Sequence, residues 1–121
     1  MDAIEIIEYL REQNFIVNAD GDYLELSPPE KITDELIQRL RQHKPAILAE
    51  LKREQRRKKV LDMLVDKPDS QRAIIADLNS DPDNVILTIT LRDQYTFEML
   101  ISKDKYDAFV LLELIEKGAL Q

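Results

Sequence analysis

Few residues of this chain are of a type that runs reactions, and those few do not gather into a constellation. There is one histidine, His43, and no cysteine. Without cysteine there is no thiolate nucleophile, no disulfide and no zinc-thiolate site. His43 lacks a sequence-evident nucleophile or acid partner, and its position suggests the end of a helix, where a cation is favoured. Asp77, Asp81 and Asp83 surround Pro82. A calcium loop needs a denser ladder broken by glycine, so these acids read as turn and capping residues. Asp20-Gly21-Asp22 reads as a turn for the same reason. No glycine-rich phosphate loop and no Ser/His/Asp arrangement can be assembled. The expectation is a protein that is not an enzyme and uses no cofactor and no metal.

What remains is recognition chemistry, in two places. The first is a basic run at residues 52–59, KREQRRKK, with Lys52, Arg53, Arg56, Arg57, Lys58 and Lys59 and a single acid. Formal net charge is −7 overall, so the chain outside this run stands at −12. On a helix the run places Lys52, Arg56 and Lys59 along one face and Arg53 and Arg57 along another. Such a candidate basic patch could grip phosphates. Against that stand the acidic balance and the lack of interleaved aromatics for stacking on bases. The alternative is a solvated helix.

The second place is a hairpin. Gly21-Asp22 separates two β-prone runs, and glycine accepts a positive φ at low cost. Leu24 and Leu26 alternate with Tyr23 and Glu25, giving one buried and one wetter face. A two-stranded ribbon is marginal alone and must pack on helices. It also keeps unpaired backbone edges, which invite another strand.

The elements that position these features follow from spacing. Asp2 caps a first helix to about Gln13, with Ala3, Ile7 and Leu10 on one face and Ile4 and Ile6 widening it. Asn14 suits the left-handed residue that ends it. Ser27-Pro28-Pro29 ends the ribbon. Thr33 is the next N-cap, followed by Asp34 and Glu35 in the first turn. Pro45 is read as the first turn of a third helix, jointed at Lys44-Pro45 and continuing through the basic run. Strands follow at residues 72–78, 85–91 and 95–101, with turns around Asp81-Pro82-Asp83 and Arg92-Asp93-Gln94. A final helix is expected from about 104 to 117. It is apolar on more than one face, which suggests burial from two sides, with a second copy of the chain as one cover.

In order and spacing, residues 10–51 resemble the TubC-type N-terminal docking domain of nonribosomal peptide and polyketide synthase subunits. The resemblance rests on Leu10-Arg11-Glu12, Asp20-Gly21-Asp22 with Leu24, Pro28 or Pro29, Ile32-Thr33 with Glu35-Leu36, and His43-Lys44 with Ile47-Leu48 and Leu51. It implies a helix, a hairpin and two helices, often as a homodimer. It also implies capture of a partner's C-terminal tail along the exposed strand, here Tyr23, Leu24, Glu25 and Leu26, with basic residues nearby. Asn14 replaces the glycine usual after the first helix, and the ribbon is rich in acid (Asp20, Asp22, Glu25).

The expectation is an α+β chain with two modules. Residues 1–66 form helix-hairpin-helix-helix; residues 70–121 form a small antiparallel sheet with a closing helix. The expected function is a bacterial, cytoplasmic adaptor that takes a protein or peptide partner along residues 23–26, with a homodimer expected. The alternative is a nucleic-acid accessory role through residues 52–59. No apolar run approaches the ~20 residues that span a bilayer.

Overall fold

The computed structural model describes residues 2–107. The protein is α+β, with two α-helices and two antiparallel sheets among the described residues. Two compact units divide between Gln55 and Arg56. The closing helix expected from about 104 to 117 lies outside the described residues from position 108 on.

The first unit opens with α1, Ala3–Glu12. Asp2 caps it: its carboxylate accepts the Glu5 N–H at 2.9 Å. Asn14 ends it at φ 66°. The Phe15 N–H then reaches the Leu10 carbonyl at 2.9 Å and the Asn14 N–H reaches that of Arg11 at 3.1 Å. This is a Schellman closure, and its usual apolar contact is supplied by Leu10 and Phe15, both buried in one core cluster. The missing glycine is therefore immaterial, because asparagine tolerates the same left-handed backbone.

The ribbon is β1, Ile16–Asp20, against β2, Tyr23–Ser27. Asn18, Ala19 and Asp20 all pair across to β2, so only Gly21 and Asp22 lie between the strands. A 3₁₀ turn, Pro29–Lys31, follows. Then comes α2, Asp34–Asp66, capped by the Thr33 hydroxyl on the Leu36 N–H at 3.2 Å.

The expected joint at Lys44-Pro45 is not there; α2 runs straight past it as one helix, with Pro45 inside. Proline removes the N–H that would bond the Arg41 carbonyl. Arg41 and Pro45 are both exposed, so water can take that carbonyl. Leu40, Ile47 and Leu51 are at most 7% exposed and sit on one stripe only if the helix is continuous. Tertiary anchoring on both sides of the proline outweighs its local penalty. His43 is consequently mid-helix and half-buried rather than at a helix end.

The core of the first unit joins Ile6, Ile7 and Leu10 of α1 to Phe15, Val17 and this stripe of α2. Ala19, Leu24 and Leu26 pack against it from the ribbon.

The second unit holds a three-stranded sheet in order β3-β4-β5: Arg72–Asp77, Asn84–Leu91 and Tyr95–Ser102. The central strand is buried on both faces, Thr88 and Thr90 included. Val85, Leu87, Ile89 and Leu91 form one cluster with Ile74, Phe97, Ile101 and Tyr106. On the other side Val60 and Leu64 of α2 pack with Ala73 and Ile75. The carbonyls that end α2 are capped from a distance. The Arg92 guanidinium donates to Leu64 O at 2.8 Å, Lys67 O at 3.0 Å and Ser70 O at 2.6 Å. A cation there also suits the negative end of the helix.

Candidate functional site: a ribbon edge and its flanking cations

The two-residue loop fixes which backbone groups of the ribbon point inward. Gly21 has φ +58° while Asp22 is not in the left-handed region, the pattern of a type II′ turn. In such a hairpin the pair next to the loop, Asp20 and Tyr23, exchanges hydrogen bonds, and alternate pairs do so thereafter. Asn18 with Glu25 and Ile16 with Ser27 are therefore the other closed pairs in this register. The N–H and C=O groups of Val17 and Ala19 point out of the β1 edge. Those of Leu24 and Leu26 point out of the β2 edge.

The two edges are not equivalent. On the β1 side, the Gln55 side-chain amide donates to the Ala19 carbonyl at 3.0 Å. This contact confirms the outward direction of Ala19, and the chain itself uses that position. On the β2 side, no strand pairs with Leu24 or Leu26 among the described residues.

The four residues singled out in the sequence divide by face. Leu24 and Leu26 turn their side chains to the core while keeping their backbone groups at the rim. Tyr23 and Glu25 face solvent, with Tyr23 74% exposed. Ile16, 64% exposed, shares that outer face by pairing with Ser27. Two cations of α2 flank the ribbon. Lys44 Nζ lies 5.9 Å from the centre of the Tyr23 ring, within cation–π reach. Lys52 Nζ lies 3.9 Å from an Asp22 carboxylate oxygen that is fully exposed. The sequence does not place these cations beside the ribbon, since Lys44 is 21 positions from Tyr23. The helical spacing of Lys44 and Lys52, about two turns, was the available signal.

A second concavity of about 430 Å³ opens between the end of α1 and the start of α2, walled by Tyr9, Phe15, Lys31, Leu36 and Arg39. Its cations are already engaged. Lys31 caps the Gln13 carbonyl at 3.3 Å, and Arg39 lies 3.8 Å from Glu35.

Within the basic run, Arg56 is turned away from the surface patch drawn from the sequence. Arg56 is 9% exposed. Its guanidinium grips Glu98 at 2.7 and 3.3 Å and reaches Asp77 at 3.2 Å. The carboxylates are held in turn by Thr88, at 2.9 Å from Glu98, and Ser80, at 2.6 Å from Asp77. A helix-wheel reading treats every exposed-looking cation alike; here one cation is consumed by two acids that are distant in sequence. Lys52, Arg53 and Lys58 each lie within ion-pair distance of an acid, Asp22, Glu50 and Asp62 respectively. Arg57 and Lys59 are exposed.

The acids around Pro82 serve turns. Asp81 accepts the Asp83 N–H at 2.8 Å and the Asn84 N–H at 3.0 Å, which holds its carboxyl below the ordinary range despite a desolvation cost. Asp77 does the same for Asn79 and Ser80. Among the described residues no group of three or more potential ligands could hold a metal. Nor is any helix among them long and apolar enough to cross a membrane.

With this geometry in view, comparison with known proteins gives one result. Residues 4–53 match the family model of the TubC N-terminal docking domain, a span covering α1, the ribbon and the first part of α2. The match stops short of the second unit. No curated protein matches the chain, and no solved structure does.

Proposed function

We propose that the chain is a non-catalytic docking adaptor that accepts an extended peptide along the outer edge of β2, at Tyr23, Leu24, Glu25 and Leu26. The observation that carries this is the asymmetry of the ribbon: Gln55 occupies a carbonyl on the β1 edge, while no strand covers the outward backbone groups of Leu24 and Leu26 among the described residues. Main-chain pairing would supply affinity, as in other strand-addition complexes. The match of residues 4–53 to a docking domain supports a protein or peptide partner.

Lys44 and Lys52 favour a peptide with acidic side chains or a free carboxylate. Asp20, Asp22 and Glu25 on the ribbon disfavour one whose acids fall over the hairpin face itself. The acids of the partner therefore belong on the α2 side. A phosphate-gripping role for residues 52–59 has less support, because Arg56 is buried with Glu98 and Asp77.

The test is fluorescence anisotropy with a labelled panel of acidic C-terminal peptides. Binding is expected, lost in Leu24→Pro and weakened in Lys44→Glu. Leu24→Pro removes an outward donor and leaves the ladder to β1 intact, whereas Glu25→Pro would break a closed pair and the ribbon with it. Undiminished binding by a folded Leu24→Pro variant would reject edge recognition.

A further inference from the structure

The second unit has a free edge of its own, and it is built differently. β5 pairs with β4 through eight consecutive residues without a bulge, and no strand covers its other side among the described residues. Natural edge strands are usually protected by proline, outward lysine, a bulge or shortness. β5, YTFEMLIS, has none of these. Its single charged side chain, Glu98, is folded inward onto Arg56 and Thr88. The opposite edge, β3, is shorter, six residues against eight.

Apolar surface gathers along the same rim. Tyr95 is 59% exposed, Met99 39% and Leu100 64%. Beside them a groove of about 460 Å³ runs between the end of α2 and the β4–β5 turn, with Leu61, Val65, Tyr95 and Thr96 on its walls. Leu61 is 44% and Val65 76% exposed. Leu100 lies on the α2 side of the sheet, because it shares parity with Glu98, which touches Arg56.

We infer that β5 is the contact through which two copies of this chain join, edge to edge and antiparallel, into one six-stranded sheet. A strand edge admits only an extended segment, and three features select a second copy. First, in the antiparallel register centred on Met99, exposed Asp93 of one copy falls opposite exposed Lys105 of the other, while the intervening Asp104 falls opposite the uncharged Gln94. Second, with Glu98 turned inward no like charges meet along the seam. Third, a two-fold axis through the sheet keeps side-chain parity, so Met99 of one copy lies beside Met99 of the other and Phe97 beside Ile101. Centring on Met99 rather than Glu98 also keeps the two Glu98 carboxylates apart. Strand pairing alone is small beside the roughly 800 Å² per partner of a stable interface. The exposed Leu61, Val65, Tyr95, Met99 and Leu100 supply the further apolar area.

The full chain is measured by sedimentation equilibrium, and its lack of cysteine allows single-cysteine trapping. Two-chain mass is expected, falling to one-chain mass in Leu100→Lys, whose exposed site spares the fold. Directly opposed antiparallel residues lie about 4.5–5.5 Å apart at Cα, within disulfide reach. Met99→Cys should therefore crosslink under mild oxidation at least ten times faster than Ala76→Cys on the β3 edge. A one-chain mass for the unaltered protein overturns the inference and leaves the edge to a foreign strand. So does a dimer indifferent to Leu100→Lys, or equal crosslinking from both edges. None of these readings involves the β2 edge, so the docking proposal stands or falls separately.

Discussion

Arg56→Met offers the sharpest test of how the basic run is used. The variant keeps the apolar stem and removes the guanidinium that holds Glu98 and Asp77. Removing one partner of a buried ion pair costs about 3–5 kcal/mol, because the remaining charge stays desolvated. Two features soften that here. The Glu98 and Asp77 side chains are 23% and 18% exposed, and each keeps a hydroxyl donor, from Thr88 and Ser80. The expected loss is therefore near the lower end, about 3 kcal/mol. Urea unfolding followed by circular dichroism measures it, provided the denaturant slope is unchanged. Adding Glu98→Gln should recover part of the loss, since one of the two carboxylates that faced the guanidinium is then uncharged. A loss below about 1 kcal/mol would refute the reasoning. It would mean that water screens the cluster and that Arg56 remains available as a surface cation, as the nucleic-acid alternative requires.

Three further outcomes are expected. Pro45→Ala restores the donor for the Arg41 carbonyl within a continuous helix and should stabilise the protein by about 1–3 kcal/mol; an unchanged urea midpoint would contradict a helix running through that position. Gly21→Ala meets nothing within 4 Å of the new Cβ, so its cost is conformational, about 1 kcal/mol from the positive φ, and Gly21→Asn should cost less. Burial alone would raise the Asp77 carboxyl, but hydrogen bonds from Ser80 and the Asn79 and Ser80 N–H groups, with Arg56, bring it below its ordinary value. A depressed folded value contributes stability above the unfolded pKa and loses it as pH falls through the folded one. Acid unfolding should therefore steepen below about pH 4, and Asp77→Asn should flatten that region of the stability curve.

Local chemistry made much of this fold legible. Asp2, Asn14, Thr33 and Gly21 each state a cap or turn by residue type alone, and each stands where such a residue is needed. The alternation in β4 and β5 likewise marks strands to within a residue or two. The misreadings have a common cause, which is tertiary contact overriding a local rule. Pro45 says break, but Leu40 and Ile47 hold both sides of it on one core. Arg56 looks like its neighbours until Asp77 and Glu98, 21 and 42 positions away, close on it. The candidate strand was visible in Tyr23, Leu24, Glu25 and Leu26. Which edge is open was not, because that depends on the reach of Gln55 across 36 positions to Ala19. The place of β5 at the edge of the sheet among the described residues was equally hidden, since strand order is not written in strand pattern.

Residue-resolved amide hydrogen exchange on the free chain addresses the docking edge most directly. The Leu24 and Leu26 amides should exchange rapidly while those of Tyr23 and Glu25, which alternate with them in sequence, are protected; addition of a bound peptide should then slow Leu24 and Leu26. Slow exchange at Leu24 and Leu26 in the free protein would show that the outer rim of β2 is already filled, leaving no place there for a partner.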